Sequence, residues 1–243
     1  QNSDLRVDAS NLTALKSIDL SGYTNGSGKV ELTTSVASTD LTAIKGATTA
    51  TQMNIYSTGL KTVEGGAGND KVVFYAAQTK DIKVSLGTGD DDFVFDGTAA
   101  LTANKKFEIS GGAGNDTFNL GASTTDANAS KYVTITDANR GDKISLGSAG
   151  AATLQKISLN VDGRADLKTA INDALGSLSS TAANTIYAVY YGNDTYLVRD
   201  ANGDKALDAN DNLVKLAGIS NFDLLNANSV TEGGVNYIQI TNV

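Results

Sequence analysis

The chain has 243 residues, a formal charge of −8, 19 basic residues, and no Cys, His, Trp or Pro. Without His or Cys it carries no Ser-His-Asp or Cys-His nucleophile system, no imidazole or thiolate metal site and no disulfide. Its acidic balance and scattered basic residues argue against nucleic acid or an anionic membrane as partner, and leave carboxylates and carbonyls, the ligands of hard cations such as calcium. No apolar run approaches the about 18 residues of a membrane-spanning helix.

From the amino end, short apolar clusters recur: "LKSIDLS", "KVELTT", "LTAIKG" and "MNIYS". Near-alternating apolar residues separated by Ser, Thr, Asn and Gly read as strands. Packing of Leu15, Ile18, Leu20, Val30, Leu32, Leu41, Ile44 and Ile55 is expected to hold these rungs together, so residues 1–62 read as the start of a strand-rich solenoid. The chain begins at Gln1 without a signal-peptide pattern and reads as a piece of a longer protein cut at its front, with "VNYIQITNV" as the expected natural end.

A repeat follows. "GGAGNDKVV" at Gly65 to Val73 recurs as "GGAGNDTFN" at Gly111 to Asn119, with a weaker copy, "LGTGDDDFV", at Leu86 to Val94. These fit G-G-x-G-x-D-x-U-x, with Val72, Phe93 and Phe118 in the apolar slot, the pattern of calcium-binding β-helix repeats in RTX proteins. Glycines let the backbone take positive φ and turn carbonyls inward, the sixth-position Asp adds charge, and the strand that follows buries its central side chain. One loop offers too few oxygens for a cation that wants six to eight, so stacked loops must share it. The candidate ligands are therefore Gly65, Ala67, Asn69 and Asp70; Leu86, Thr88, Asp90 and Asp91; and Gly111, Ala113, Asn115 and Asp116.

Asp70 to Asp91 is 21 residues and Asp91 to Asp116 is 25. Each coil therefore carries one calcium turn on one side and a longer plain connection on the other, giving a single row of sites. "DANRGDKISL" reads as a degenerate fourth turn, with Asp142 in the aspartate place and Ile144 in the apolar slot; an ordinary turn is the alternative. The long connections "DGTAALTANKK" and "GASTTDANASK" are candidate surfaces for contact with other copies.

Beyond Leu146 the pattern changes. "DLKTAINDALGSL" places Leu167, Ala170, Ile171, Ala174, Leu175 and Leu178 on one helical stripe with Asp166 as cap, expected to cover the open end of the solenoid. "TIYAVYYGNDTYLVRD" reads as a hairpin, whose Tyr187, Tyr190, Tyr191 and Tyr196 suit packing or a sugar platform. In "DANGDKALDAND", Asp200, Asn202, Asp204, Asp208 and Asp211 fall at the first, third, fifth, ninth and twelfth positions of a calcium-loop rhythm. Lys205 replaces the sixth-position glycine and Asp211 the final glutamate, and a solvated acidic turn is the alternative.

Residues 63–243 resemble the carboxy-terminal part of RTX proteins exported by type I secretion, through the repeats, "ITDANRGDKISL", the helix, the hairpin and the apolar finish. The Thr-rich front further resembles RTX-bearing surface-layer proteins of Gram-negative bacteria. The resemblance implies an all-β fold: a right-handed parallel β-roll or β-helix solenoid with calcium-binding turns, capped by a carboxy-terminal α-helix and β-hairpin region. It divides the chain into the solenoid start at 1–62, the calcium roll at 63–146 and a cap with the export signal at 147–243. It implies Ca2+ as cofactor, no enzymatic activity, secretion to the bacterial cell surface, the type I apparatus as partner through the carboxy terminus, and self-assembly into a surface lattice. The export and folding tail of a secreted RTX protease, lipase or toxin, or an RTX adhesin fragment, are the alternatives.

Overall fold

A computed structural model describes residues 4–24, 28–96, 101–121, 125–126, 128–147, 150–219 and 225–243. The two connections expected to face other copies lie in part outside the described residues, at 97–100, 122–124 and 127.

The chain alternates between two sheets. The first takes β1 (Leu5–Asp8), β3 (Val30–Thr33), β5 (Thr51–Ile55), β7 (Lys71–Phe74), β9 (Asp92–Phe95), β11 (Thr117–Asn119) and β13 (Lys143–Ser145). The second takes β2 (Ser17–Asp19), β4 (Ala43–Lys45), β6 (Thr62–Ala67), β8 (Ile82–Thr88), β10 (Phe107–Ala113) and β12 (Val133–Ile135). All neighbours among these strands run parallel, so the chain winds as a β-roll. Alternation decides which side chains enter: in β5, Thr51, Met53 and Ile55 are buried while Gln52 is exposed.

Register turns that alternation into columns. Val7, Leu32, Met53, Val72, Phe93, Phe118 and Ile144 pair successively down one sheet. Ile18, Ile44, Val63, Val84, Ile109 and Ile135 do so down the other. The columns face each other and form one continuous core. Slipping a strand by one residue would turn its column out to water, which is why the pattern specifies the winding.

The carboxy-terminal region caps the roll by adding strands to both sheets. β14 (Thr153–Lys156) precedes α1 (Leu167–Gly176), and β15 (Thr185–Tyr191), β16 (Asp194–Arg199), β17 (Asn212–Leu216), β18 (Asn226–Glu232) and β19 (Val235–Asn242) follow. β17 pairs with β12, and β16, β15 and β14 continue outward; on the other sheet β19 pairs antiparallel with β13 and β18 closes the edge. The hairpin turns at Gly192 and Asn193, both at positive φ.

The helix covers a sheet face instead of the open end expected from its stripe. Ala170, Ile171, Ala174 and Leu175 pack against Tyr187, Val189, Tyr196, Val198 and Leu213, a second core on the outer side of the added strands. The cause lies in "TIYAVYY", where Ile186 and Ala188 enter the main core and Tyr187 and Val189 point the other way, so both faces need cover. Asp166 caps the helix through its carboxylate, which accepts the Thr169 N–H at 2.7 Å. Tyr187 and Tyr196 are thus interior residues, which leaves no tyrosine platform for a sugar at those two positions.

Candidate metal centre

Five of the turns that carry the chain from the second sheet to the first form one row: 46–51, 65–70, 86–91, 111–116 and 137–142. They stack along one edge of the roll. Gly66, Gly87 and Gly112 all take positive φ, and a Cβ on Gly87 or Gly112 would collide with the carbonyl oxygen of its counterpart one coil earlier. Only glycine lets consecutive turns approach this closely.

The sixth residues form a ladder. Asp70 Oδ1 accepts the Thr51 N–H at 2.6 Å, Asp91 Oδ1 that of Asp70 at 2.7 Å, Asp116 Oδ1 that of Asp91 at 3.0 Å, and Asp142 Oδ1 that of Asp116 at 2.9 Å. All four carboxylates are buried, each at most 2% exposed. In Asp70, Asp91 and Asp116 the other oxygen, Oδ2, is buried with no hydrogen-bond partner. For Asp70 and Asp116 the space for that oxygen comes from a glycine at the first turn position: a Cβ on Gly65 would stand 2.7 Å from Asp70 Oδ2, and one on Gly111 would overlap Asp116 Oδ2.

An ionised carboxylate with one oxygen bare and dry costs several kcal/mol. Burial accordingly pushes the carboxyls of Asp70 and Asp116 up to about 7, against the pull of the backbone N–H each accepts; Asp91 and Asp142 rise for the same reason. A cation placed against the three bare oxygens removes the cost. Among the described residues no three acidic side chains converge on one point, so the remaining donors must be backbone carbonyls. A row of single carboxylates with peptide oxygens suits calcium, which takes six to eight oxygen ligands in flexible geometry.

The other turn residues divide by position. Asn69 and Asp90 are exposed, and each accepts an N–H from the next coil, Asp90 donating to Asn69 Oδ1 at 3.1 Å and Asn115 to Asp90 Oδ1 at 2.8 Å. They form an outer ladder beside the buried one. Gly65, Ala67, Gly111, Ala113 and the buried Leu86 have only backbone oxygens to offer, and Thr88 is exposed. Two residues of the row carry no glycine-aspartate signature: Thr51, in the aspartate place of the first turn, and Asp137, in the first-glycine place of the last. A five-residue step from Gly46 to Thr51 and from Asp137 to Asp142 is the signal that finds them.

The loop from Asp200 to Asp211 does not bring its four aspartates to one point, and Asp200 and Asp211 are fully buried. Asp200 accepts the N–H groups of Gly203 and Lys205 and the Thr181 hydroxyl; Asp211 accepts those of Ala201 and Asp208. Asn202 Nδ2 donates to Asp204 and Asp208, both at 3.0 Å. Lys205 adopts the left-handed φ of 66° that a sixth-position glycine would supply, and its ammonium donates to the carbonyls of Leu178 and Ser179 just past the helix.

A family model described as peptidase M10 serralysin C terminal matches residues 13–172, a span that takes in all five turns. The chain belongs to the serralysin C-terminal family. No curated protein matches it. Membership in the serralysin C-terminal family makes the chain an RTX-type calcium-binding module of a secreted protein, and the bare oxygens of Asp70, Asp91 and Asp116 are where its own residues fit that ion.

Proposed function

We propose that this module is the calcium-dependent structural part of a secreted bacterial surface-layer protein, folding on extracellular calcium and assembling with copies of itself. The observation that carries this reading is the continuity of the roll ahead of the calcium turns. Strands β3 and β5 share register with β7, Leu32 opposite Met53 and Met53 opposite Val72, so the front of the chain extends the same solenoid. A chain lacking His and Cys suits assembly better than catalysis, and no enzymatic activity is assigned to it. The carboxy terminus serves the type I secretion apparatus.

The family's description favours one second reading, the folding and export tail of a secreted peptidase whose catalytic part lies elsewhere. Electron microscopy of the parent protein with and without calcium separates the two. A two-dimensional lattice that forms only with calcium supports the surface-layer reading; dispersed particles in both conditions, with proteolytic activity in the parent, overturn it.

A further inference from the structure

The first and last turns of the row are closed in a way that the middle three are not. In the first, the Thr51 hydroxyl accepts the N–H of Ala47 at 3.2 Å and donates to the carbonyl of Thr49 at 3.0 Å. In the last, Asp142 uses both oxygens: Oδ1 for Asp116, and Oδ2 for the N–H of Asn139 at 2.8 Å. Neither turn leaves a sixth-position oxygen bare; the one bare buried oxygen of the first turn, Thr49 Oγ1, belongs to a neutral hydroxyl and carries no charge to offset.

Asp137 adds a second closure. β6, β8 and β10 remain paired through their turns, Gly66 opposite Gly87 and Gly87 opposite Gly112. β10 and β12 pair only as far as Ile109 opposite Ile135. Beyond that point the amides of Gly111 and Gly112 face no strand. The Asp137 carboxylate takes them at 3.0 and 2.9 Å, together with the Ser110 hydroxyl at 2.6 Å. A side chain thus replaces the missing coil.

We infer that 46–51 and 137–142 are metal-free end caps of the calcium row, with Thr51, Asp137 and Asp142 as positioning residues and the ions confined to the stretch served by Asp70, Asp91 and Asp116. This rests on the calcium reading above. The physical basis is the difference in unmet need. Amide dipoles already compensate both oxygens of Asp142 and all of Asp137, and Thr51 brings no charge, whereas each middle aspartate keeps one oxygen that only a cation can satisfy. The caps hold the turn shape through their own hydrogen bonds and present it to the turns that need an ion to adopt it.

Ion counting on the full chain tests this, by equilibrium dialysis against saturating calcium followed by atomic emission. Asp116→Asn should lower the bound-calcium count. Asp142→Asn and Asp137→Asn should keep the native count while lowering the melting midpoint by similar amounts with and without calcium. A count that falls in Asp142→Asn or Asp137→Asn as it does in Asp116→Asn overturns the inference. A native chain that binds no calcium overturns the calcium reading itself, a different failure. Should the Asp142 variant not fold, hydrogen exchange of the calcium-stripped native chain decides: the amides of Ala47 and Asn139 should exchange about tenfold or more slower than that of Asp91, and equal rates refute the caps.

Discussion

Asp91 holds the backbone N–H of Asp70 through Oδ1 at 2.7 Å while its Oδ2 stays buried and bare. One side chain thereby ties two coils together and leaves a charge that the protein alone does not satisfy. The dependence of the fold on a cation follows from that pairing.

Calcium removal should therefore unfold the middle of the roll. A ligand that binds the native state alone stabilises by about 2.7 kcal/mol per site at a hundred times its dissociation constant, so several sites together are comparable with a typical margin of stability. Circular dichroism in excess chelator should lose β signal and melting temperature relative to calcium. Identical spectra and melts would contradict the role given to the three bare oxygens.

Neighbouring carboxylates should differ in weight. Asp91→Ala removes a buried link between coils and a candidate ligand, and should weaken calcium binding and cost about 2 kcal/mol or more in calcium. Asp92 points outward, its side chain 49% exposed and 3.9 Å from Lys71. Asp92→Ala should cost under about 0.5 kcal/mol and leave calcium affinity unchanged. Calcium titration and thermal melts of the two variants, side by side, read the difference.

In the calcium-stripped protein, stability should fall with rising pH. Burial lifts the folded-state carboxyls of Asp70 and Asp116 from 3.8 to about 7, so the folded state keeps protons that the unfolded chain has released. Their contribution is fully present below about 4 and is lost as pH climbs through about 7. Melting temperature without calcium should therefore be higher at pH 5 than at pH 8, with the order reversed in saturating calcium, where protons compete with the ion. A metal-free melting temperature that rises between pH 5 and pH 8 would count against these burial shifts.

Asp166→Ala should cost about 1 kcal/mol, the usual worth of a helix amino-terminal cap, and leave the calcium count unaltered. The helix packs in the second core, away from the row of turns. Loss of bound calcium in this variant would show coupling between helix and roll that the packing does not suggest.

Asp70, Asp91 and Asp116 were legible because a tight turn that buries a carboxylate spends glycines just ahead of it, and glycines at fixed steps stand out in any sequence. Thr51 was hidden because its turn needs no room for a charged oxygen and keeps a single glycine, Gly46. The five-residue step to Asp142 marks the position of Asp137, but its task is readable only in three dimensions, since it arises where β12 stops following β10. The helix was legible from its stripe, but its seat was not: the apolar residues of "TIYAVYY" fill both faces of β15, and only the winding of the roll tells which face is left for α1. The loop at Asp200 shows its rhythm in the sequence, while the left-handed backbone angle at Lys205 is one that no spacing reveals.

The carboxy-terminal strands also give the molecule a mechanical direction. Between consecutive turns the chain advances 19, 21, 25 and 26 residues, and each coil is held by its immediate neighbours alone. Traction on the amino end would peel the roll one coil at a time, each step releasing a similar length of chain and, in the middle, the ions it shares. Traction on the other end meets β19 clamped antiparallel between β13 and β18, which must slide past both partners before anything yields. The first strand has one partner and the last has two, so the two ends are expected to resist traction unequally.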